Sequence, residues 1–180
     1  MARASVFNAF LHMQNHFELF QLPQRFEIDQ ARLDAAYREV QSQVHPDKFV
    51  QAGDAEKRVA MQWATLANEA YRTLKDPLKR ATYLCALQGV DLQTESNTSM
   101  PAQFLMQQME WRESFDDARH GQNIAAMMRL EKEVTLALQA QMKHAGANID
   151  AHNFETAAQD IRACLFLEKL IADIAALDDA

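Results

Sequence analysis

An all-α chain is predicted, built as a helical hairpin followed by a three-helix bundle, and three observations predict it. Apolar residues recur with the helical period along most of the sequence. Only four Gly and four Pro occur in 180 residues, against abundant Ala, Leu, Gln, Glu and Met. The prolines, Pro23, Pro46, Pro77 and Pro101, stand where periodic segments stop or start. Such a composition favours helix and leaves almost no room for strand. Length alone admits one domain or two small ones, so pattern decides.

The first periodic segment is short: Phe17, Leu19, Phe20 and Leu22 precede Pro23, which predicts a brief helix laid on something larger. Asp29 then stands as an N-cap, and Leu33, Tyr37, Val40 and Val44 keep the helical spacing until Pro46 forbids continuation. After a polar loop containing Gly53, a helix is expected from about Asp54 through Val59, Trp63, Leu66, Ala70 and Leu74, with Pro77 ending it. Two helices joined by a loop of about ten residues can bury facing stripes as an antiparallel hairpin. Residues 78–88, with Tyr83 and Leu84, read as a further short helix closing at Gly89. The polar run 93–99 marks a connection. Beyond it three helices are expected, over about 101–118 opened by Pro101, about 122–143 ended near Gly146, and 151–178. The predicted organisation is an extension over 1–14, a first domain over 15–90, a linker over 91–100 and a second domain over 101–180.

Charge separates the halves. Residues 1–90 carry 11 Lys/Arg against 10 Asp/Glu, and residues 91–180 carry 7 against 15, so the halves stand at +1 and −8. The acidic half repels nucleic-acid backbones and anionic membranes; it suits a basic protein patch, a solvated acidic face being the alternative. Cys85 and Cys164 lie far apart in apolar surroundings without a Cys-x-x-Cys pair, so they are expected as buried free thiols of a reducing compartment. No apolar run reaches the ~18 residues of a membrane span. Asn8, His12 and Gln14 interrupt the N-terminal stretch that a secretory signal would need. A cytoplasmic protein with no nucleic-acid or membrane partner is the expectation.

His45-Pro46-Asp47 is the most informative feature. Pro46 fixes its own φ and pushes His45 out of the helical region, so both neighbours are presented on a rigid turn. Rigidity lessens the entropy lost on docking. The Asp47 carboxylate can accept paired hydrogen bonds from an arginine, and His45 can donate from either ring nitrogen. As an acid–base pair the same residues lack company. No Gly-rich phosphate loop, His-x-x-x-His or His-Glu-x-x-His pairing, or Gly-x-Ser-x-Gly elbow accompanies them. His12, His16, His120, His144 and His152 are expected at solvated helix ends and loops. No catalytic, cofactor-binding or metal-binding residue is assigned, and the chain is expected not to be an enzyme.

The tripeptide lies between two amphipathic helices. Asn68-Glu69-Ala70-Tyr71-Arg72-Thr73-Leu74, Asp76-Pro77 and Arg80-Ala81-Thr82-Tyr83-Leu84 follow it. With these, residues 16–88 resemble a J-domain. The resemblance implies that His45, Pro46 and Asp47 dock on a chaperone of the heat-shock ATPase class and stimulate its ATP hydrolysis, with Arg38 and Lys48 as the neighbouring cations. Between residues 30 and 44 only Arg32 and Arg38 are basic, fewer than J-domains generally carry, which favours a specialised ATPase. Lys57 and Arg58 either extend this site or belong to a solvated helix face.

Most of the chain after the linker resembles the C-terminal domain of HscB-type co-chaperones of iron–sulfur cluster assembly. Phe104-Leu105-Met106, Glu110, Glu113 and Phe166-Leu167-Glu168-Lys169-Leu170 carry the likeness. It implies two partners, a dedicated HscA-like chaperone ATPase and the IscU-like scaffold on which clusters are built. The scaffold would meet Leu105, Met106, Met109, Glu110, Glu113, Asp117 and Phe166. Met109 stands where the family commonly has Leu, and Asp117 where it often has Glu. Residues 1–14 lack the cysteines of the zinc element that eukaryotic members often carry, so no bound metal is expected.

Periodicity gives separate support for a partner face. At about 100° per residue, Phe104, Trp111 and Phe115 share a narrow sector, while Leu105, Met106 and Met109 fall roughly 100 to 200° away among carboxylates. A helix apolar on two sides needs two things to pack against. One is its own bundle; the other is either a partner protein or a neighbouring part of the chain. Met suits an adaptable surface, and the carboxylates complement a basic patch. Phe166 joins the face by resemblance, since it stands off the stripe of Phe154, Ile161 and Leu165. The alternative function is a J-domain protein that recruits a chaperone to a different client, with the bundle as an oligomerisation module.

Overall fold

A computed structural model describes residues 15–92 and 100–178, so the predicted extension over 1–14 and most of the linker lie outside the described residues. The helices are α1 His16–Leu19, α2 Gln30–Val44, α3 Asp54–Lys75, α4 Pro77–Leu87, α5 Ala102–His120, α6 Ile124–Asp150 and α7 Phe154–Asp178. A 3-10 turn, Pro46–Phe49, separates α2 from α3. No strand occurs among the described residues. Compactness divides the chain into two units, residues 1–80 and 81–180, with the division inside α4. No helix among the described residues is long and apolar enough to cross a membrane.

In the first unit, caps set the helix ends. Asn15 accepts from the Glu18 N–H at 3.0 Å and donates back to its carboxylate at 3.1 Å, a reciprocal cap that starts α1. Phe17, Leu19, Phe20 and Leu22 are buried around it. Asp29 caps α2 by accepting from Ala31 and Arg32, and Leu33, Val40 and Val44 form the buried stripe. The centre of α3 differs from expectation. Ala60, Ala67, Ala70 and Leu74 are its buried residues, whereas Val59, Trp63 and Leu66 are half-buried. Small side chains one or two turns apart let helices approach closely, and the bulky ones then flank the contact line.

Polar bonds fasten the hairpin along one edge. The Tyr37 and Tyr71 rings stack at 4.1 Å. The Tyr37 hydroxyl donates to Asn68 Oδ1 at 2.7 Å, Gln41 Nε2 donates to the same oxygen at 2.6 Å, and the Tyr71 hydroxyl donates to Asp34 at 2.8 Å. Asp76 then starts α4 by accepting from Leu78 and Lys79.

Arg80 closes the unit. Only 5% exposed, it donates Nε to the Phe26 carbonyl at 2.8 Å and Nη1 to the Leu74 carbonyl, with its guanidinium 4.9 Å from the centre of the Phe26 ring. Burial lowers its pKa from the usual arginine value, opposed by Glu27 and Asp76. Arg80→Ala would strand two buried carbonyls and is expected to lower stability by about 2–4 kcal/mol, read by urea unfolding. Arg80→Lys should restore less than half of the loss, because one ammonium cannot reproduce the planar fork. A loss under about 1 kcal/mol for the alanine variant would show that water satisfies those carbonyls.

The second unit is built on the long pair α6 and α7. Its core cluster comprises Trp111 and Ala118 of α5, Met127, Leu130 and Val134 of α6, and Leu167, Leu170 and Ile174 of α7. α5 therefore covers the first half of α6 and the second half of α7. On the remaining halves Asp160 accepts from Gln141 at 2.6 Å and Asn148 at 2.8 Å, and Arg162 donates to the Leu92 carbonyl at 3.1 Å. Burial raises the Asp160 pKa against those amide bonds and His144.

One helix end moves. α6 does not end near Gly146 but runs to Asp150, with Ala145 and Gly146 both buried in its inner face. A glycine inside a helix costs about 1 kcal/mol relative to alanine, which burial against a neighbouring helix offsets here. The turn is made instead by His152 in the left-handed region, φ 59°. Along α7 the buried line is Ala157, Ile161, Cys164, Leu167, Leu170 and Ile174, while Phe154 and Leu165 are only half-buried. Cys85 and Cys164 are buried free thiols, and burial pushes them up to about 11 and about 12. His16 is half-buried rather than solvated, and burial lowers its pKa.

Candidate functional site

The end of α2 and the 3-10 turn present the tripeptide. His45 leaves the helix with φ −59° and ψ 129°, the extended conformation that a following proline imposes. The Lys48 N–H bonds the His45 carbonyl at 3.0 Å, and Phe49, 5% exposed inside a loop expected to be polar, anchors the turn in the core. The His45 and Asp47 side chains point outward, 55% and 87% exposed.

His45 Nδ1 accepts from the Asp47 N–H at 3.3 Å and lies 3.6 Å from Asp47 Oδ2. One nitrogen cannot serve both contacts in one protonation state. With Nδ1 accepting from the backbone, a neutral ring carries its proton on Nε2, a donor on a side chain that is 55% exposed. The Asp47 carboxylate then keeps acceptor capacity for a partner. Arg38 lies exposed on α2 two turns before His45, about 10 Å along the helix and on the same side. Lys48 is exposed within the turn. The geometry can grip a cationic partner group, and it contains no nucleophile or orienting third group.

The second candidate surface lies on α5. Leu105, Met106 and Met109 are 42%, 64% and 72% exposed, and Glu110, Glu113 and Asp117 are exposed among them. Trp111 faces inward and donates Nε1–H to Glu133 at 2.8 Å, and Phe104 and Phe115 are partly buried against the core. Phe166 stands apart from the exposed set. It is partly buried, edge-to-face on Phe104 at 6.1 Å, with the Arg112 guanidinium 5.4 Å over its ring. Sequence reasoning missed Arg112, although a helical wheel puts it beside Leu105 and Met109. It also passed over the exposed Val50, Met61, Ile124, Met128 and Leu136. Among the described residues no group of three or more His, Cys, Asp or Glu side chains is placed to hold a metal ion.

Known proteins share this fold. The family model described as the HSCB C-terminal oligomerisation domain matches residues 100–175. A co-chaperone protein HscB homolog of Burkholderia multivorans is 53% identical over 162 residues, covering 90% of this chain and 93% of that protein. Among solved structures, chaperone HscB from Vibrio cholerae is 34% identical with a TM-score of 0.79, covering 92% of this chain and 98% of that one. Human co-chaperone HscB is 28% identical with a TM-score of 0.85, covering 93% and 83%. Fold and comparisons together define a co-chaperone with an N-terminal J-domain hairpin and a C-terminal helical bundle. The chain belongs to the HscB co-chaperone family.

Proposed function

We propose that this co-chaperone is a two-ended adaptor of iron–sulfur cluster assembly. Its J-domain, over residues 15–90, stimulates the ATPase of a specialised HscA-like chaperone through His45, Pro46 and Asp47, with Arg38 and Lys48 beside them. Its second domain, over residues 101–180, delivers an IscU-like scaffold held on Leu105, Met106, Met109, Glu110, Glu113, Asp117 and Phe166. The observation that carries this is the tripeptide turn, with His45 and Asp47 exposed while Phe49 anchors the backbone behind them.

Coupling gives the two ends their purpose. A chaperone that tightens on its client after hydrolysis is loaded efficiently when client and trigger arrive together, because tethering raises their effective concentration. Steady-state hydrolysis by the chaperone is expected to rise roughly tenfold or more above the sum of the separate effects when scaffold and co-chaperone are both present. Strict additivity would show that the two ends act independently. A second reading, the bundle as an oligomerisation module, is favoured by the description of the matching family model and by Ile124, Met128 and Leu136 standing exposed on α6. Sedimentation equilibrium separates the two: Ile124→Ala with Met128→Ala leaves the mass unchanged for the adaptor and lowers it for the module.

A further inference from the structure

We infer that the chaperone-docking surface continues from the tripeptide across the 3-10 turn onto the outer face of α3, where Val50 and Met61 supply an apolar seat bordered by Lys57 and Arg58. This rests on the tripeptide being the chaperone trigger and adds the place where affinity resides. Among the described residues of the first unit, Val50 and Met61 are the large apolar side chains left exposed, at 61% and 63%. The fold gains nothing from exposing either. Val50 directly follows Phe49, whose burial holds the turn. On α3, Ala60 and Ala67 face inward, and Met61, about 100° around the helix from Ala60, faces out.

Both residues lie at the tripeptide's end of the hairpin. Val50 closes the 3-10 turn, and Met61 stands two turns into α3, against which that turn packs. Lys57 and Arg58 precede Met61 by four and three residues, so they are its neighbours on the helix surface.

Charge points to the same side. The last two turns of α2, residues 38–44, carry one cation, Arg38, and one carboxylate, Glu39; the turn and the start of α3 carry Lys48, Lys57 and Arg58 against Asp47, Asp54 and Glu56, and the charged groups nearest Met61 on the helix surface are Lys57 and Arg58. Asp54 and Glu56 sit in the first turn of α3, where they complement the helix dipole. The surface thus fits a chaperone ATPase presenting a small apolar patch rimmed by carboxylates. Met is an adaptable contact residue, and a compact apolar centre with a charged rim is the usual build of a binding hot spot. The tripeptide then triggers hydrolysis, and the seat beside it holds the partner.

The test uses the full chain carrying Val50→Ser with Met61→Ser, and separately Lys57→Glu with Arg58→Glu, titrated against an HscA-like chaperone while ATP hydrolysis is followed. The serine pair is expected to raise the half-maximal concentration about tenfold and leave the maximal rate unchanged. The charge reversal is expected to raise it as well and to flatten its salt dependence. Met61→Ser alone, on an exposed helix face, carries the test with a shift of about threefold should Val50→Ser disturb the turn. A half-maximal concentration within twofold of the parent for the serine pair, with Asp47→Ala inactive alongside, overturns this inference alone. A lowered maximal rate at an unchanged half-maximal concentration overturns it too. Stimulation retained by Asp47→Ala overturns the trigger reading beneath it.

Discussion

Asp47→Ala is expected to drop stimulation of the chaperone ATPase to the unstimulated rate while scaffold affinity stays within about twofold of the parent. The variant should fold normally, because the Asp47 side chain is 87% exposed and the bond that shapes the turn comes from its backbone N–H to His45 Nδ1. What is lost is the carboxylate, the acceptor that can take paired hydrogen bonds from an arginine. Truncating one member of such a pair once it is desolvated costs about 2–5 kcal/mol, enough to abolish productive docking. Asp47→Asn keeps the shape and removes the charge, so it should fail nearly as completely. Hydrolysis measured against co-chaperone concentration, with calorimetric titration of the scaffold beside it, reads both ends. Loss of scaffold binding in Asp47→Ala would contradict the division of labour between the two domains.

The helices were legible where local chemistry sets them. Asp29, the Pro46 stop and Asp76-Pro77 each act within four residues of themselves, and the structure places caps and ends there. The exposed sector of α5 was legible for the same reason, since 19 consecutive helical residues leave only one way to face the core. Features resting on distant partners were not. Arg80 binds the carbonyls of Phe26 and Leu74, groups that any residues supply, so no side-chain pattern announces them. Phe49 hides in a loop whose composition reads as polar. The α3 core is made of alanines because its neighbours come close, a property of two helices and not of one. Gly146 looked like a stop but lies inside a helix, where burial outweighs its local preference. Phe166 was placed on the partner face by resemblance, and only its contact with Phe104 shows that it also finishes the core.

That double position of Phe166 separates two kinds of loss at the α5 surface. Leu105, Met106 and Met109 are 42%, 64% and 72% exposed, so replacing all three with Ala should leave the melting temperature of the bundle nearly unchanged. If a scaffold covers them, each withdraws roughly 1 kcal/mol of apolar burial from the complex, and the triple variant should bind about a hundredfold more weakly. Phe166→Ala should act otherwise. It removes an edge-to-face partner of Phe104 and the ring beneath Arg112, so it should cost the bundle roughly 1–2 kcal/mol before any scaffold is added. Calorimetric titration of the scaffold together with thermal melting of each free variant distinguishes the effects. If the triple variant binds as tightly as the parent while Phe166→Ala weakens binding only in proportion to its lost stability, the exposed α5 face is not where the scaffold sits. A hundredfold loss in a variant whose melting is unchanged assigns that face to the partner, since nothing in the free protein would then account for it.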